Sequence, residues 1–319
     1  SGQVAGEFPE QVPYLEWKAS FFSGKMSCQG CHMPTAQGGV QISVVGGHHL
    51  RSPVFQHTMV GGNTYMLGMM GAFGEELAVT ASSAQFQDKQ GGTVEQLQGR
   101  TATIDLENAS SEGSTLTADV VIRTMTGHKF PTAYPSRRAW IHLTVHDASG
   151  NVLFESGAVS PDGSIAGNDN DADPSAYEPH YLAIDSPEQV QIYEAIMGNT
   201  EGQPTTTLLA GATYLKDNRL IPAGFDKSAV EPDIAVYGAA IDDADFDSAI
   251  DTTQYTIPLD NAQGPLMVTA ELLYQTIGYR WADNLRQHDA PEPARFLDYY
   301  EQIPNQAVVV ASATVVVEK

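Results

Sequence analysis

The only two cysteines in 319 residues stand in one pentapeptide, Cys28-Gln29-Gly30-Cys31-His32. No disulfide framework can therefore staple a fold of this size, and a core of ordinary apolar residues, 42% of the total, must hold it. The segment around residues 28–32 must in turn be shaped by whatever the pentapeptide binds. Two thiols at this spacing followed by an imidazole form the attachment pattern of a covalent c-type haem: both sulfurs add to vinyl groups and the histidine reaches the iron from one face. Three other readings stand beside it. A redox dithiol opens a helix within an α/β unit, and no alternating strand–helix pattern surrounds Cys28. A zinc set would draw on His48, His49 and His57, and a plain disulfide needs no further residue.

The chain carries 39 acidic and 16 basic residues, a formal charge of −23. Such a surface repels phosphate backbones and anionic lipid heads, which disfavours nucleic acid and membrane-surface partners. It leaves steering of a cationic partner, metal binding, or solubility in a saline or extracytoplasmic setting. No stretch reaches the roughly 18 to 20 apolar residues that span a bilayer. Ser1-Gly2-Gln3 has neither a start methionine nor a signal-peptide core, so a processed or fragment end is expected. Covalent haem attachment occurs outside the cytoplasm in bacteria, and the motif thus points to an exported, periplasmic or cell-surface protein.

Two textures divide the chain into a helical, loop-rich haem-binding region over residues 1–98 and a β domain over 99–319. In the first, residues 9–25 read as an amphipathic helix with Val12, Leu15, Trp17, Phe21 and Phe22. Residues 34–47 read as loop, and residues 65–70 as an apolar helix buried against a ligand or core. Residues 82–97 read as a helix broken or kinked at Gly91-Gly92. In the second, residues 101–106, 116–124, 139–145, 152–155, 255–259, 266–274 and 307–317 alternate or run β-branched between turns, with a hairpin over residues 146–152. Strands without intervening helices predict a mainly β fold, an antiparallel, Ig-like β-sandwich, with a helical insertion near 278–302 before the last strand.

Several runs carry a resemblance. Tyr14-Leu15-Glu16-Trp17 before the Cys28 motif, His57-Thr58-Met59-Val60-Gly61-Gly62-Asn63, Thr126-Gly127-His128-Lys129-Phe130-Pro131-Thr132 and Pro135-Ser136-Arg137-Arg138-Ala139-Trp140 resemble the C-terminal part of bacterial multihaem c-type cytochromes. The runs at 190–193, 214–220 and 274–275 look like the same group. Those proteins carry several C-x-x-C-H motifs, and this chain has one. Wiring of electrons along a row of haems, which the resemblance implies, cannot then occur within this chain alone.

With His32 as the proximal ligand, the far side of the iron decides between electron transfer and small-molecule chemistry. His57, a short loop away, and His128, in a loop constrained by Gly127 and Pro131, are the leading candidates. His48, His49, a methionine or an open position follow. Met66, Met69 and Met70 are candidates for the haem edge, and Arg137 and Arg138 for its propionates or for surface ion pairs. The run at 216–219 reads as a structural network.

Residues 162–173 concentrate oxygen ligands, and Asp169, Asp171 and Asp173 alternate so as to converge on one Ca²⁺, with Glu178 and His180 in support. The EF-hand ligand order is absent, and a solvated acidic loop is the alternative. No G-x-S-x-G elbow occurs. The leading expectation is an exported single-haem cytochrome that passes single electrons to a redox partner, such as another cytochrome. The alternatives are a haem enzyme or sensor with an open axial position, and a structural, partner-docking module of a larger redox complex.

Overall fold

The computed structural model of the protein describes residues 4, 6–47, 49–259 and 262–319. Among these residues the chain is mainly β, as its patterning predicts. Seven α-helices, α1 to α7 in chain order, span Pro13–Lys18, Cys28–His32, Thr64–Ala72, Ser83–Arg100, Asp169–Ala172, Tyr279–Asp283 and Pro291–Gln302. Strands β1 to β6 are Val40–Gln41, Leu50–Arg51, Ala102–Glu112, Thr115–Thr124, Arg138–His146 and Val152–Ser156. Strands β7 to β13 are Ala183–Ile184, Ile192–Gly198, Pro204–Thr205, Thr213–Asp217, Ile250–Pro258, Leu266–Gln275 and Val308–Val317.

The strands form a seven-stranded sheet ordered β10-β8-β5-β12-β13, with β6 on β5 and β9 on β8, and a four-stranded sheet ordered β3-β4-β11-β7. One core takes Leu116, Val120 and Ile122 from the smaller sheet and Leu143, Val145, Val268 and Leu272 from the larger. Their strands alternate inward apolar and outward polar side chains, as in the register of Val268 with Val145 and Val315. Pairing is antiparallel throughout except for the two-residue contact of β7 with β11, which is parallel. A separate cluster of Tyr65, Met69, Ala282, Tyr299 and Tyr300 joins α3 to the helices inserted before β13.

Two sequence expectations change, and one strand is new. The helix expected over residues 9–25 is only Pro13–Lys18, after which the chain turns sharply. The kink expected at Gly91-Gly92 is absent: α4 runs unbroken for 18 residues. Each glycine costs a helix about 1 kcal/mol. A reciprocal Ser82–Gln85 capping box and the burial of Thr93 and Leu97 offset that cost. Strand β8 also had no alternation to show, because all seven of its residues are buried.

Candidate functional site

Helix α2 consists of the pentapeptide itself, so Cys28 and Cys31, three residues apart, share one face. Both thiols are free, and both line a cavity of about 430 Å³ with mainly apolar walls. That volume falls within the range of about 300 to 1,000 Å³ that holds drug-sized ligands and cofactors. The wall draws from both sides of the textural change near residue 100: Tyr14, Trp17 and His32 on one side, His128, Phe130 and Tyr274 on the other. Two glycines permit this closeness. A Cβ at Gly127 would stand 3.3 Å from Trp17 Cδ1, and one at Gly62 would stand 2.9 Å from the Tyr274 hydroxyl.

His32 and His128 face each other in this cavity. Their rings are parallel within 8° and their centroids are 6.1 Å apart. His32 Nδ1 lies 2.5 Å from the Val60 carbonyl, and His128 Nδ1 lies 3.0 Å from the Lys129 carbonyl. A carbonyl only accepts, so each Nδ1 carries the proton and each Nε2 keeps its lone pair. Burial holds the His128 pKa below the usual histidine value, which keeps that imidazole neutral and able to ligate. Two imidazoles on opposite sides of one metal, with metal–nitrogen bonds of about 2 Å and ring centres about 1 Å beyond, stand about 6 Å apart. The ring spacing is therefore the one that a single metal atom held by both imidazoles requires, and the neighbouring thiols and apolar wall suit a large covalent ligand beside it.

Both imidazoles are held from behind. The His32 carbonyl accepts from Val60 N at 3.1 Å, so residues 32 and 60 clamp each other in both directions. Behind His128 lies a buried network of four charges: Glu16 on α1, Lys129, Asp217 and Arg219. Glu16 accepts from the Lys129 backbone N–H at 3.0 Å and pairs with Arg219 at 3.0 Å. Asp217 pairs with Lys129 at 2.8 Å and with Arg219 at 2.7 Å. Burial alone would raise the Asp217 carboxyl, but the two cations hold it down at about 2. The run at 216–219 is thus a structural network, and its pairing with Glu16, between Leu15 and Trp17 on α1, is one that the sequence did not mark.

The other expected site residues lie elsewhere. His57 and His49 are exposed and line no part of the cavity, and His48 lies outside the described residues. Met66 packs with the Tyr65–Met69 cluster rather than on the cavity wall, which takes Met26 and Met125 instead. Arg137 donates to the Thr132 carbonyl at 2.9 Å, and Arg138 is buried on Asp171 at 2.8 Å. Neither lines the cavity, whose one formally charged wall residue is the exposed Arg100.

In the acidic loop, Asp171 accepts from Arg138 and from Ile165 N, and Asp173 accepts from the Ser175 backbone and hydroxyl. Glu178 supports the loop by accepting from Asp169 N at 3.1 Å. These carboxylates hold the loop itself, and among the described residues Asp169, Asp171 and Asp173 do not gather around one point.

The described residues do gather three metal-ligating side chains at His180, Asp243 and Asp251, all buried. His180 Nε2 lies 2.9 Å from Asp243 and 3.6 Å from Asp251 Oδ1. Its Nδ1 lies 3.0 Å from the amide nitrogens of both Gln191 and Asn218. Those amides are oriented by the backbone: Gln191 Oε1 accepts from Tyr181 N, while Asn218 Oδ1 accepts from Glu194 N and Asn218 Nδ2 donates to the Ile192 carbonyl. Nδ1 must therefore accept, and Nε2 carries the proton that Asp243 receives. With its Nε2 lone pair used by that proton, His180 does not fit a metal, and the cluster is a proton-bearing hydrogen-bond centre.

No family model matches the chain, and no curated protein matches it. Among solved structures, the penta-heme cytochrome c552 from Thermochromatium tepidum is similar, with a TM-score of 0.50 and 19% identity. The similarity covers 96% of this chain and 51% of that one, so this chain spans about half the length of the structure it matches. At that identity the likeness is one of fold. No helix among the described residues is long and apolar enough to cross a membrane.

Proposed function

We propose that this chain is a c-type cytochrome module that carries one haem, attached through Cys28 and Cys31 and ligated by His32 and His128, and that it transfers single electrons. One observation carries the reading: two parallel imidazoles 6.1 Å apart, each with Nδ1–H given to a backbone carbonyl, in a cavity that also holds both thiols. The fold shared with a penta-heme cytochrome supports it. When bound, the haem supplies an iron that gains and loses one electron. The chain's own residues orient the two nitrogens, exclude water with apolar walls, and offer Arg100 as a cation at the rim. His128 argues against an open axial position and against His57 as the second ligand. Covalent attachment outside the cytoplasm makes the module an exported one, with a redox protein such as another cytochrome as its partner.

The absorption and electron-spin spectra of the purified protein test this. The native protein is expected to be low-spin and to leave carbon monoxide unbound. His128→Ala should turn the iron high-spin and open it to carbon monoxide, while His57→Ala should change neither. A low-spin spectrum that survives His128→Ala would overturn the assignment.

A further inference from the structure

The four charged side chains behind His128 are more than stability requires. Glu16, Lys129, Asp217 and Arg219 are between 0% and 4% exposed. Taking charges out of water is unfavourable, and apolar residues of similar volume often serve as well or better where stability is the sole demand. The four are arranged instead around one imidazole. Lys129 follows His128 in the chain, and its carbonyl accepts from His128 Nδ1. The peptide group that joins the two residues is held at both ends: its carbonyl accepts from Thr126 Oγ1 at 2.7 Å, and its N–H donates to Glu16 at 3.0 Å. The Lys129 ammonium reaches Asp217 at 2.8 Å and the Ala235 carbonyl at 2.9 Å.

Two of these charges act on the ring itself. Burial is the main cause that lowers the His128 pKa, but the Glu16 carboxylate pulls it up and the Arg219 guanidinium pushes it down. With two anions and two cations the set is balanced, in a chain whose formal charge is −23. Charges fixed in a poorly polarisable interior are weakly screened, so the balance matters at the site in front of them. We infer that this set fixes the reduction potential of the site, with Glu16 and Asp217 favouring the oxidised form and Lys129 and Arg219 the reduced one. The inference rests on the reading of His128 as a haem ligand. Glu16 is a positioning residue in it, because it acts through residues 128 and 129.

Potentiometric titration of the haem-loaded protein, followed by absorption, tests it. Glu16→Gln and Asp217→Asn each remove one negative charge and should raise the midpoint by about 59 mV, an approximately tenfold change in the oxidised-to-reduced ratio for one electron. Lys129→Met should lower it by a similar amount. Glu16→Gln combined with Lys129→Met restores the balance and should bring the midpoint back toward the native value. Mere loosening of the site would give another pattern: admitted water favours the more highly charged oxidised form, so every variant would lower the midpoint and the double variant would lower it most. Should Lys129→Met fail to fold, the two carboxyl variants, each close in shape to the native residue, still decide by the sign of their shift. Where His128→Ala turns the iron high-spin, a fall or no change in the midpoint of either carboxyl variant overturns the inference alone. A low-spin spectrum that survives His128→Ala overturns the ligation, and the inference with it.

Discussion

Two histidine centres in this molecule are built from the same residue type and work in opposite ways. At the cavity, His32 and His128 each give Nδ1–H to a backbone carbonyl and keep a bare Nε2, with their rings parallel and 6.1 Å apart. In the β domain, His180 receives amide N–H groups at Nδ1 and gives its Nε2 proton to Asp243. The atom behind the ring decides the function of the atom in front of it. Burial in the β domain drives the His180 pKa down to about 3, helped by Lys216 and Lys227, so the ring is neutral there as well. Neutrality alone therefore does not make a ligand, and the position of the remaining proton does.

Substitutions at the two centres should separate them. His128→Ala is expected to abolish the low-spin spectrum, whereas His180→Ala should leave it intact while lowering the midpoint of thermal unfolding. If His180→Ala changed the spin state, the two centres would not be independent. Next in size, Asp217→Asn leaves Lys129 and Arg219 short of their shared anion, and breaking a buried ion pair costs about 3 to 5 kcal/mol. Denaturant unfolding should show that loss, and a change below 1 kcal/mol would mean that the network behind His128 is not what holds it.

A smaller, pH-dependent effect belongs to Asp251. Burial raises its carboxyl from 3.8 to about 7, so folding retains a proton that the unfolded chain loses. The stability from that proton is fully present below pH 3.8 and is lost as the pH rises through about 7. Asp251→Asn has no such loss and should gain on the native protein between pH 4 and 8, by up to about 4 kcal/mol. Unfolding curves across that range should diverge in this direction; parallel curves would mean that Asp251 is ionised throughout. Smallest of all, added Zn²⁺ or Mn²⁺ is expected to leave the melting temperature unchanged. A rise in the native protein that disappears in His180→Ala would show that the ring takes up a metal despite its amide partners.

What the sequence revealed follows from how local each signal is. The Cys28–His32 pentapeptide is contiguous, and strands such as β4 and β12 alternate over their first half, so both were legible. Strand β8 was not, because burial on both faces erases alternation. At the cavity, His57 and His128 looked equivalent as loop histidines near glycine, and only the tertiary approach of residue 128 to residue 32 separates them. The pairing of Glu16 was invisible for a similar reason, since its partners are 113 and 203 residues further along the chain. The acidic loop misled by composition: alternate aspartates suggested convergence, yet an arginine and a serine take up Asp171 and Asp173 one at a time.

The reciprocal clamp between His32 and Val60 has a consequence for how this protein can vary. The two hydrogen bonds close the 33–59 segment into a loop whose ends are fixed at the His32 imidazole. Lengthening such a loop is cheap, about 0.6 kcal/mol for each doubling. The hairpin can therefore grow, shrink or change its surface while the imidazole it springs from stays in place. The surface of the hairpin and the placement of His32 thus sit on the same stretch of chain but are free to evolve separately.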